Sequence, residues 1–392
     1  MGVSSRIRSY IENSSWIRRM FEEGLKLKET YGHENVLDFT LGNPDLDAPP
    51  EVRMALEDMV KNYNPKMHGY MPNAGLYDVR SAIGEKVSRE QNIKIPPENI
   101  ILTCGASGGI NVVLKTILDD GDKVLFPSPY FVEYFFYVQN HNGIPVPVET
   151  RQDFSLDIEE FEKNMDDKVK AVILNSPNNP TGQIYDRETL KELVELIRYK
   201  SKKYNRRIYI ISDEPYRNIT FDGISVPSIM ELFENTFVVS SFSKELSLAG
   251  ERIGYIAIHP EMEDLDIITE GLILSNRILG FVNAPNLAQR IVKNCINSKV
   301  AVDIYQKRRD LLCDILEEAG LNFVKPKGGL FVFPEVPIDD IEFCNLLKEE
   351  LVLAVPGRGF GRKNHIRLAL CVDLPIIEKL REKLRRVMGR IR

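Results

Sequence analysis

Apolar residues along the chain follow two kinds of pattern, and the change between them organises it. Residues 1–35 read as an arm followed by a helix, with Ile17, Met20, Phe21 and Leu25 near helical spacing in a charged background. Val36-Leu37-Asp38-Phe39-Thr40 predicts a short strand that runs into the turn Leu41-Gly42-Asn43-Pro44-Asp45. Pro49-Pro50 opens a helix through Leu56 and Met59, and Tyr70-Met71-Pro72-Asn73-Ala74-Gly75 is a second turn-rich loop. From about residue 98 short apolar runs alternate with amphipathic stretches. The runs 100–103, 123–126, 171–174, 208–211, 236–239 and 253–258 predict strands. Ile110, Val113, Leu114 and Ile117 repeat at i, i+3, i+4, i+7, as do Leu190, Leu193, Val194 and Ile197 behind Asp186, a candidate N-cap. Apolar strands alternating with helices predict an α/β domain with a mostly parallel sheet. Past residue 280 the alternation fades. Residues 285–320 read as helical, Leu330-Phe331-Val332-Phe333, Leu351-Val352-Leu353-Ala354-Val355 and His365-Ile366-Arg367-Leu368-Ala369-Leu370 as strands, and the last stretch as a helix, together a mixed α+β unit.

In a parallel sheet ligands bind beyond the carboxyl ends of the strands, so chemistry is sought in the loops that follow them. After 100–103 comes Cys104-Gly105-Ala106-Ser107-Gly108-Gly109 leading into a helix, where free N–H groups and a hydroxyl suit a phosphate, although tight turns also use glycine. After 123–126 comes an aromatic cluster around Tyr130, Phe131 and Tyr134 that suits either a flat ring or a core. After 171–174, Asn175-Ser176-Pro177-Asn178-Asn179-Pro180-Thr181-Gly182 holds two X-Pro bonds that restrict the backbone and admit a cis form, which would fix Asn179. Asp213, in Ser212-Asp213-Glu214-Pro215-Tyr216, ends a wholly apolar strand, where a carboxylate needs a cationic partner. After 236–239 comes Ser240-Ser241-Phe242-Ser243-Lys244, with Arg252 eight residues on. Alone, Lys244 reads as an exposed loop lysine. In this company it reads as a Schiff-base lysine beside an anion pocket, because an amine attacks a carbonyl only when deprotonated, and burial and nearby cations favour that.

Composition narrows the partners. The 392 residues carry a net charge of −6 with no long block of one sign, which argues against nucleic acid or an anionic membrane as the main partner. The basic C-terminal stretch alternates with Leu380, Leu384, Val387 and Met388, as a solvated helix face does. Five scattered cysteines follow no zinc spacing and suit a reducing compartment. No apolar run is long enough to span a bilayer, and the N-terminus lacks a signal-peptide core, so a cytoplasmic location is expected.

Taken together, Asn179-Pro180-Thr181-Gly182, Asp213-Glu214-Pro215-Tyr216 and Ser241-Phe242-Ser243-Lys244 with Arg252 closely resemble the class I/II aminotransferases of the aspartate aminotransferase superfamily, fold type I, from about Leu41 to Arg367. The resemblance implies pyridoxal 5'-phosphate as cofactor. It implies a large cofactor domain (49–283) with a mostly parallel seven-stranded sheet flanked by helices. A smaller α+β domain would be built from both chain ends, 1–48 and 284–392. By position, Lys244 matches the Schiff-base lysine that also moves the substrate proton, and Asp213 the partner of the pyridine N–H. Asn179 and Tyr216 match ligands of the phenolic oxygen, and Phe131 the ring stacked on the cofactor, with Tyr130 the alternative if the alignment slips by one. Ala106, Ser107, Ser241 and Arg252 match the phosphate ligands, with Ser243 a further candidate. Tyr70 matches a tyrosine that reaches the neighbouring subunit's phosphate, which implies a homodimer with shared sites. Arg367 matches the fork for the substrate α-carboxylate, with Gly42 and Asn179 in the same pocket.

The resemblance implies an aminotransferase moving an amino group between an L-amino acid and a 2-oxo acid by a ping-pong mechanism, with aspartate or a related donor and 2-oxoglutarate among the expected pairs. One family branch holds the distal carboxylate with a lysine where this chain has Ser107. Another uses an arginine that aligns to Ile278, one residue from Arg277, so Arg277 is a candidate for that contact. A C–S β-lyase or other reaction of the same fold is the alternative, and a non-catalytic regulatory module the remote one.

Overall fold

The computed structural model describes residues 2–13 and 15–391. Its strands in chain order are β1 (Leu37–Asp38), β2 (Ile100–Thr103), β3 (Lys123–Ser128), β4 (Ile144–Glu149), β5 (Val169–Asn175), β6 (Tyr209–Asp213), β7 (Thr236–Ser241), β8 (Gly254–Ile258), β9 (Phe331–Val332), β10 (Val352–Leu353), β11 (Val355–Pro356) and β12 (Ile366–Ala369). Seven of them form one sheet in the order β2-β8-β7-β6-β5-β3-β4. Its ladders are parallel except for the two that β8 makes with β2 and β7. A single reversed strand thus lies inside an otherwise parallel sheet.

The apolar runs are continuous because both faces of the sheet are covered. Successive residues still point to opposite sides. In β6, Tyr209 and Ile211 join one core with Phe126, Ile173, Val239 and Ile256, while Ile210 joins another with Leu125, Val172, Val238 and Tyr255. The helix Gly105–Ile117 buries Ile110, Val113, Leu114 and Ile117 against the first face. The helix Arg187–Tyr204 buries Leu190, Leu193, Val194 and Ile197 against the second, with the Asp186 carboxylate accepting from Thr189 N as its cap.

The strand β4 has no counterpart among the runs read from sequence. Pro145 and Pro147 break its apolar pattern, and it tolerates them because it is an edge strand paired only with β3. The helix after Pro49 is Pro50–Lys61, but it buries Val52 and Ala55 and leaves Leu56 exposed. The side chains expected at Ile17, Met20 and Phe21, on the helix Ser15–Tyr31, lie outside the described residues, and Leu25 is exposed.

A further core joins residues from both chain ends. Leu37 and Phe39 pack with Leu312, Leu330, Leu368, Leu380 and Val387, and Tyr216, Ile219 and Phe221 from the middle of the chain join them. The strand β1 runs parallel to β10, and β12 lies between β11 and β9 in an antiparallel sheet. Ala369 N donates to Phe39 O, so the residue that follows the first strand bonds to the last strand. The closing helix Leu374–Ile391 buries Leu380, Leu384, Val387 and Met388, and Arg381, Arg386 and Arg390 on its outer side pair with glutamates. Among the described residues no helix is long and apolar enough to cross a membrane.

Candidate active site

The carboxyl ends of β2, β5, β6 and β7 open onto one cavity of about 370 Å³. Gly42, Ala106, Ser107, Phe131, Asn179, Asp213, Tyr216, Ser241, Ser243, Lys244, Arg252 and Arg367 all line it. Phe131 reaches the cavity and Tyr130 does not; the Tyr130 ring packs on Phe126 instead. Tyr70 stands apart, 98% exposed, and Arg277 is also exposed and outside the cavity.

The helix Gly105–Ile117 begins with no side-chain cap at Cys104, so its first N–H groups are left to whatever occupies the cavity. Two glycines bring this helix end close to its neighbours. A Cβ on Gly105, whose φ is +73°, would fall 2.7 Å from Arg252 Nη2. One on Gly254 would fall 2.7 Å from Gly105 C and 2.9 Å from Ala106 N. Amide N–H groups, the Arg252 guanidinium and the Ser241 hydroxyl therefore share one end of the cavity.

Asp213 sits at its floor. The Tyr134 hydroxyl donates to Oδ2, while Oδ1 is buried with no partner among the described residues. Burial pushes this carboxyl up to about 7, with the Tyr134 bond opposing and the neighbouring Glu214 adding to the rise. Asn175 ties the floor together: its Nδ2 donates to Asp213 O at 2.9 Å, and its Oδ1 accepts from Asn179 N at 2.7 Å. Both X-Pro bonds near Asn179, Ser176-Pro177 and Asn179-Pro180, are cis.

On the other side Lys244 Nζ donates to Gly42 O at 2.8 Å. Burial lowers the Lys244 ammonium to about 8, and the guanidiniums of Arg367 and Arg252 push the same way. Arg367 is buried, its plane between the rings of Phe331 and Phe360 at 4.2 and 4.5 Å. It donates to Asn179 Oδ1 at 3.1 Å and Thr40 O at 2.7 Å, while its Nε has no partner among the described residues. Burial lowers it to about 10, still far above neutrality. Its remaining N–H groups are free to receive a planar anion.

Against known proteins, the chain matches the family described as aminotransferase class I and II over residues 34–384. It belongs to that family. A probable aspartate aminotransferase of Methanocaldococcus jannaschii is 33% identical to this aminotransferase over 355 residues, 88% of this chain and 91% of that protein. Aromatic-amino-acid aminotransferase 2 of Thermococcus litoralis is 29% identical over 99% of this chain and 98% of its own length. The crystal structure of an amino transferase from Eubacterium rectale superposes with a TM-score of 0.96 at 34% identity, covering 100% of this chain and 99% of that one. The seven-stranded α/β architecture and the transaminase activity follow from this membership, which displaces the regulatory-module reading.

Several groups at the aminotransferase site carry no individual role in the sequence reading, beyond Tyr134's place in an aromatic cluster: Tyr134, Asn175, Phe331 and Phe360. Two of them had a local signal. Tyr134 lies three residues beyond Phe131, across the turn that enters the helix Glu133–Asn140, with the two rings edge to face, and Asn175 ends an apolar strand as Asp213 does, opposite it in register. Phe331 and Phe360 meet Arg367 only through the tertiary fold.

Proposed function

We propose that the cavity holds pyridoxal 5'-phosphate against Lys244, and that the enzyme moves an amino group from an L-amino acid to a 2-oxo acid by a ping-pong route. The observation that carries this reading is the unpartnered, buried Oδ1 of Asp213 in a cavity that Lys244 and Arg367 also line. A protonated ring nitrogen would satisfy that oxygen, and its positive charge would draw Asp213 below 7 and keep it ionised. The uncapped helix end with Arg252 and Ser241 suits the phosphate, Phe131 the ring face, and Asn179 and Tyr216 the phenolic oxygen. Bound there, the cofactor supplies a carbonyl that an amino group can join and a ring that takes up the electrons released when the substrate Cα–H bond breaks.

The chain's own groups do the rest. Arg367 receives the α-carboxylate with the N–H groups that Asn179 and Thr40 leave free. Lys244, with its ammonium lowered to about 8, has an appreciable neutral fraction near neutral pH and would take up the proton from Cα and hold it for return. The donor class turns on charge. Lys244, Arg252 and Arg367 are the lysine and arginines among the residues lining the cavity, and each already has an anion or a proton to handle. An aspartate side chain therefore needs a cation from beyond this lining, and Arg277 on a second copy of the chain is the candidate; an aromatic or aliphatic donor needs none.

A homodimer is supported by the exposed apolar side chains Met54, Val60 and Tyr63 on the way to Tyr70. Five free cysteines support a reducing, cytoplasmic setting. The test is a spectrophotometric half-reaction screen, in which each amino acid is added to the loaded enzyme and loss of the cofactor's visible band is followed. Conversion by at least one common L-amino acid is expected, and none would sink the proposal. Pyruvate and ammonia from cystathionine without half-transamination would instead select the β-lyase alternative. Light scattering at micromolar concentration tests the dimer.

A further inference from the structure

Asp213 and Lys244 are each followed by a glutamate that is buried and does not line the cavity, Glu214 and Glu245. A chain that turns one residue toward the ligand turns the next away from it. Both glutamates meet the last turns of the helix Tyr77–Gln91, on the far side of the loops from the cavity. Gln91 Nε2 donates to Glu214 at 2.9 and 3.2 Å. Lys86, a buried residue of the same helix, places its ammonium 3.2 Å from Glu245 Oε2 and also pairs with Glu90.

Asn218 completes the arrangement. It lies two residues past Tyr216, and its Nδ2 donates both to Glu245 Oε2 and, at 2.9 Å, to Glu90 Oε1. Val300 N donates to Glu245 O at 2.9 Å, so the main chain next to Lys244 is held as well. Glu245 is thus a knot between the turn that carries Lys244 and the turn that carries Tyr216. A buried carboxylate holds such a place only if a cation neutralises it, because an unpaired one is driven toward water or takes up a proton. Lys86 and Arg217 are the cations the structure brings to this cluster, and Arg217 is taken by Glu214 at 2.9 Å.

We propose that Lys86 is a positioning residue for Lys244: its ammonium neutralises Glu245, which can then lock the Lys244 turn to the Tyr216 turn through Asn218. The proposal rests on the reading that Lys244 and Tyr216 both face the cofactor. It assigns work to a side chain that touches neither cofactor nor substrate.

The test uses the loaded, full-length enzyme and three variants. Lys86→Met keeps the bulk and strands the charge. It is expected to lower kcat about tenfold with KM for the amino donor within about twofold, and to halve the visible circular dichroism that the cofactor acquires from a fixed Lys244. Lys86→Met combined with Glu245→Gln removes the charge stranded on Glu245, leaving that of the less buried Glu90, and keeps an acceptor for Asn218; it should return kcat and dichroism to within about threefold of the parent. Lys86→Arg should rescue at least as well. A Lys86→Met enzyme that melts earlier but keeps kcat and dichroism would overturn the proposal, as would a double variant no better than the single one. If Lys86→Met does not fold, Asn218→Ala decides, since it cuts the link without stranding a charge; an unchanged kcat and dichroism there also overturns the proposal. A parent enzyme with no visible band at all refutes the cofactor reading, and the kcat comparison then judges the network alone.

Discussion

The two walls of the cavity are built in different ways. The wall from the seven-stranded sheet is a set of short loops, each leaving a buried strand, so that Asp213, Asn175, Ser241 and the helix end at Ala106 are placed by local geometry. The opposite wall is assembled from the chain ends. Arg367 bonds Thr40 and Asn179, partners 327 and 188 residues away, and its guanidinium lies over the rings of Phe331 and Phe360. The first wall holds groups that suit the cofactor. The second holds those that suit the substrate. A sheet with both faces covered is a rigid mount, and an arginine held by two aromatic rings and a carbonyl keeps its orientation although its support is drawn from several elements.

The contrast can be broken from either side. The largest effect belongs to the sheet wall: Lys244→Ala is expected to lower kcat by about 10⁴-fold or more, read by steady-state turnover, and to loosen the cofactor on gel filtration. Full activity in that variant would sink the assignment. On the other wall, Arg367→Lys replaces a fork with a point charge. It should lower kcat/KM by about 100-fold while the cofactor spectrum stays that of the parent. A shifted spectrum would mean that the two walls do not divide the work as described.

Stability sharpens the same comparison. A methyl group added at Gly254 meets main-chain atoms of Ser240, Gly105 and Ala106, which cannot rotate away. Gly254→Ala should therefore cost about 1–3 kcal/mol in urea unfolding and weaken phosphate binding. A cost below about 0.5 kcal/mol would show that the helix end can retreat. The smallest effect is on pH. In the fold Lys244 titrates near 8 and in the unfolded chain near 10.5, so between these values the folded chain binds fewer protons. The cofactor-free protein should gain stability as pH rises through that window, on the order of 1 kcal/mol after allowing for solvent screening, and Lys244→Met should flatten the rise. A parent and variant with the same slope would refute the lowered value.

The difference between the walls also decides what could be read before the fold was known. The runs at 100–103, 123–126, 171–174, 208–211, 236–239 and 253–258 announce their strands because burial on both faces leaves no polar interruption, and a polar residue at the end of such a run stands out, as Asp213 does. The edge strand β4 escaped because Pro145 and Pro147 are tolerated only where one side is unpaired, which a one-dimensional pattern does not show. Phe331 and Phe360 look like ordinary core aromatics, and nothing near them in sequence points to Arg367. Tyr70 is a different case: a single chain leaves it 98% exposed, so its assignment depends on what lies against it. Arg367 was reached only through resemblance to a family, because the contacts that define it close over long stretches of chain.

The reversed strand β8 carries a consequence for how this fold can change. In an all-parallel sheet the chain leaves one edge of the layer and re-enters at the other, so a loop has only one end at the ligand. Here β7 ends at Ser241 and β8 begins beside it at Gly254, in register. The segment 242–253 therefore leaves and returns at the same rim, with Lys244 near its departure and Arg252 near its return. A segment pinned at both ends in one place can be lengthened only by bulging into the cavity or out into solvent, and it cannot slide. The separation of lysine and arginine is in effect held by a gauge, the neighbouring ends of two paired strands. Room for larger or smaller substrates has to be found on the wall that the chain ends build, where no such gauge exists.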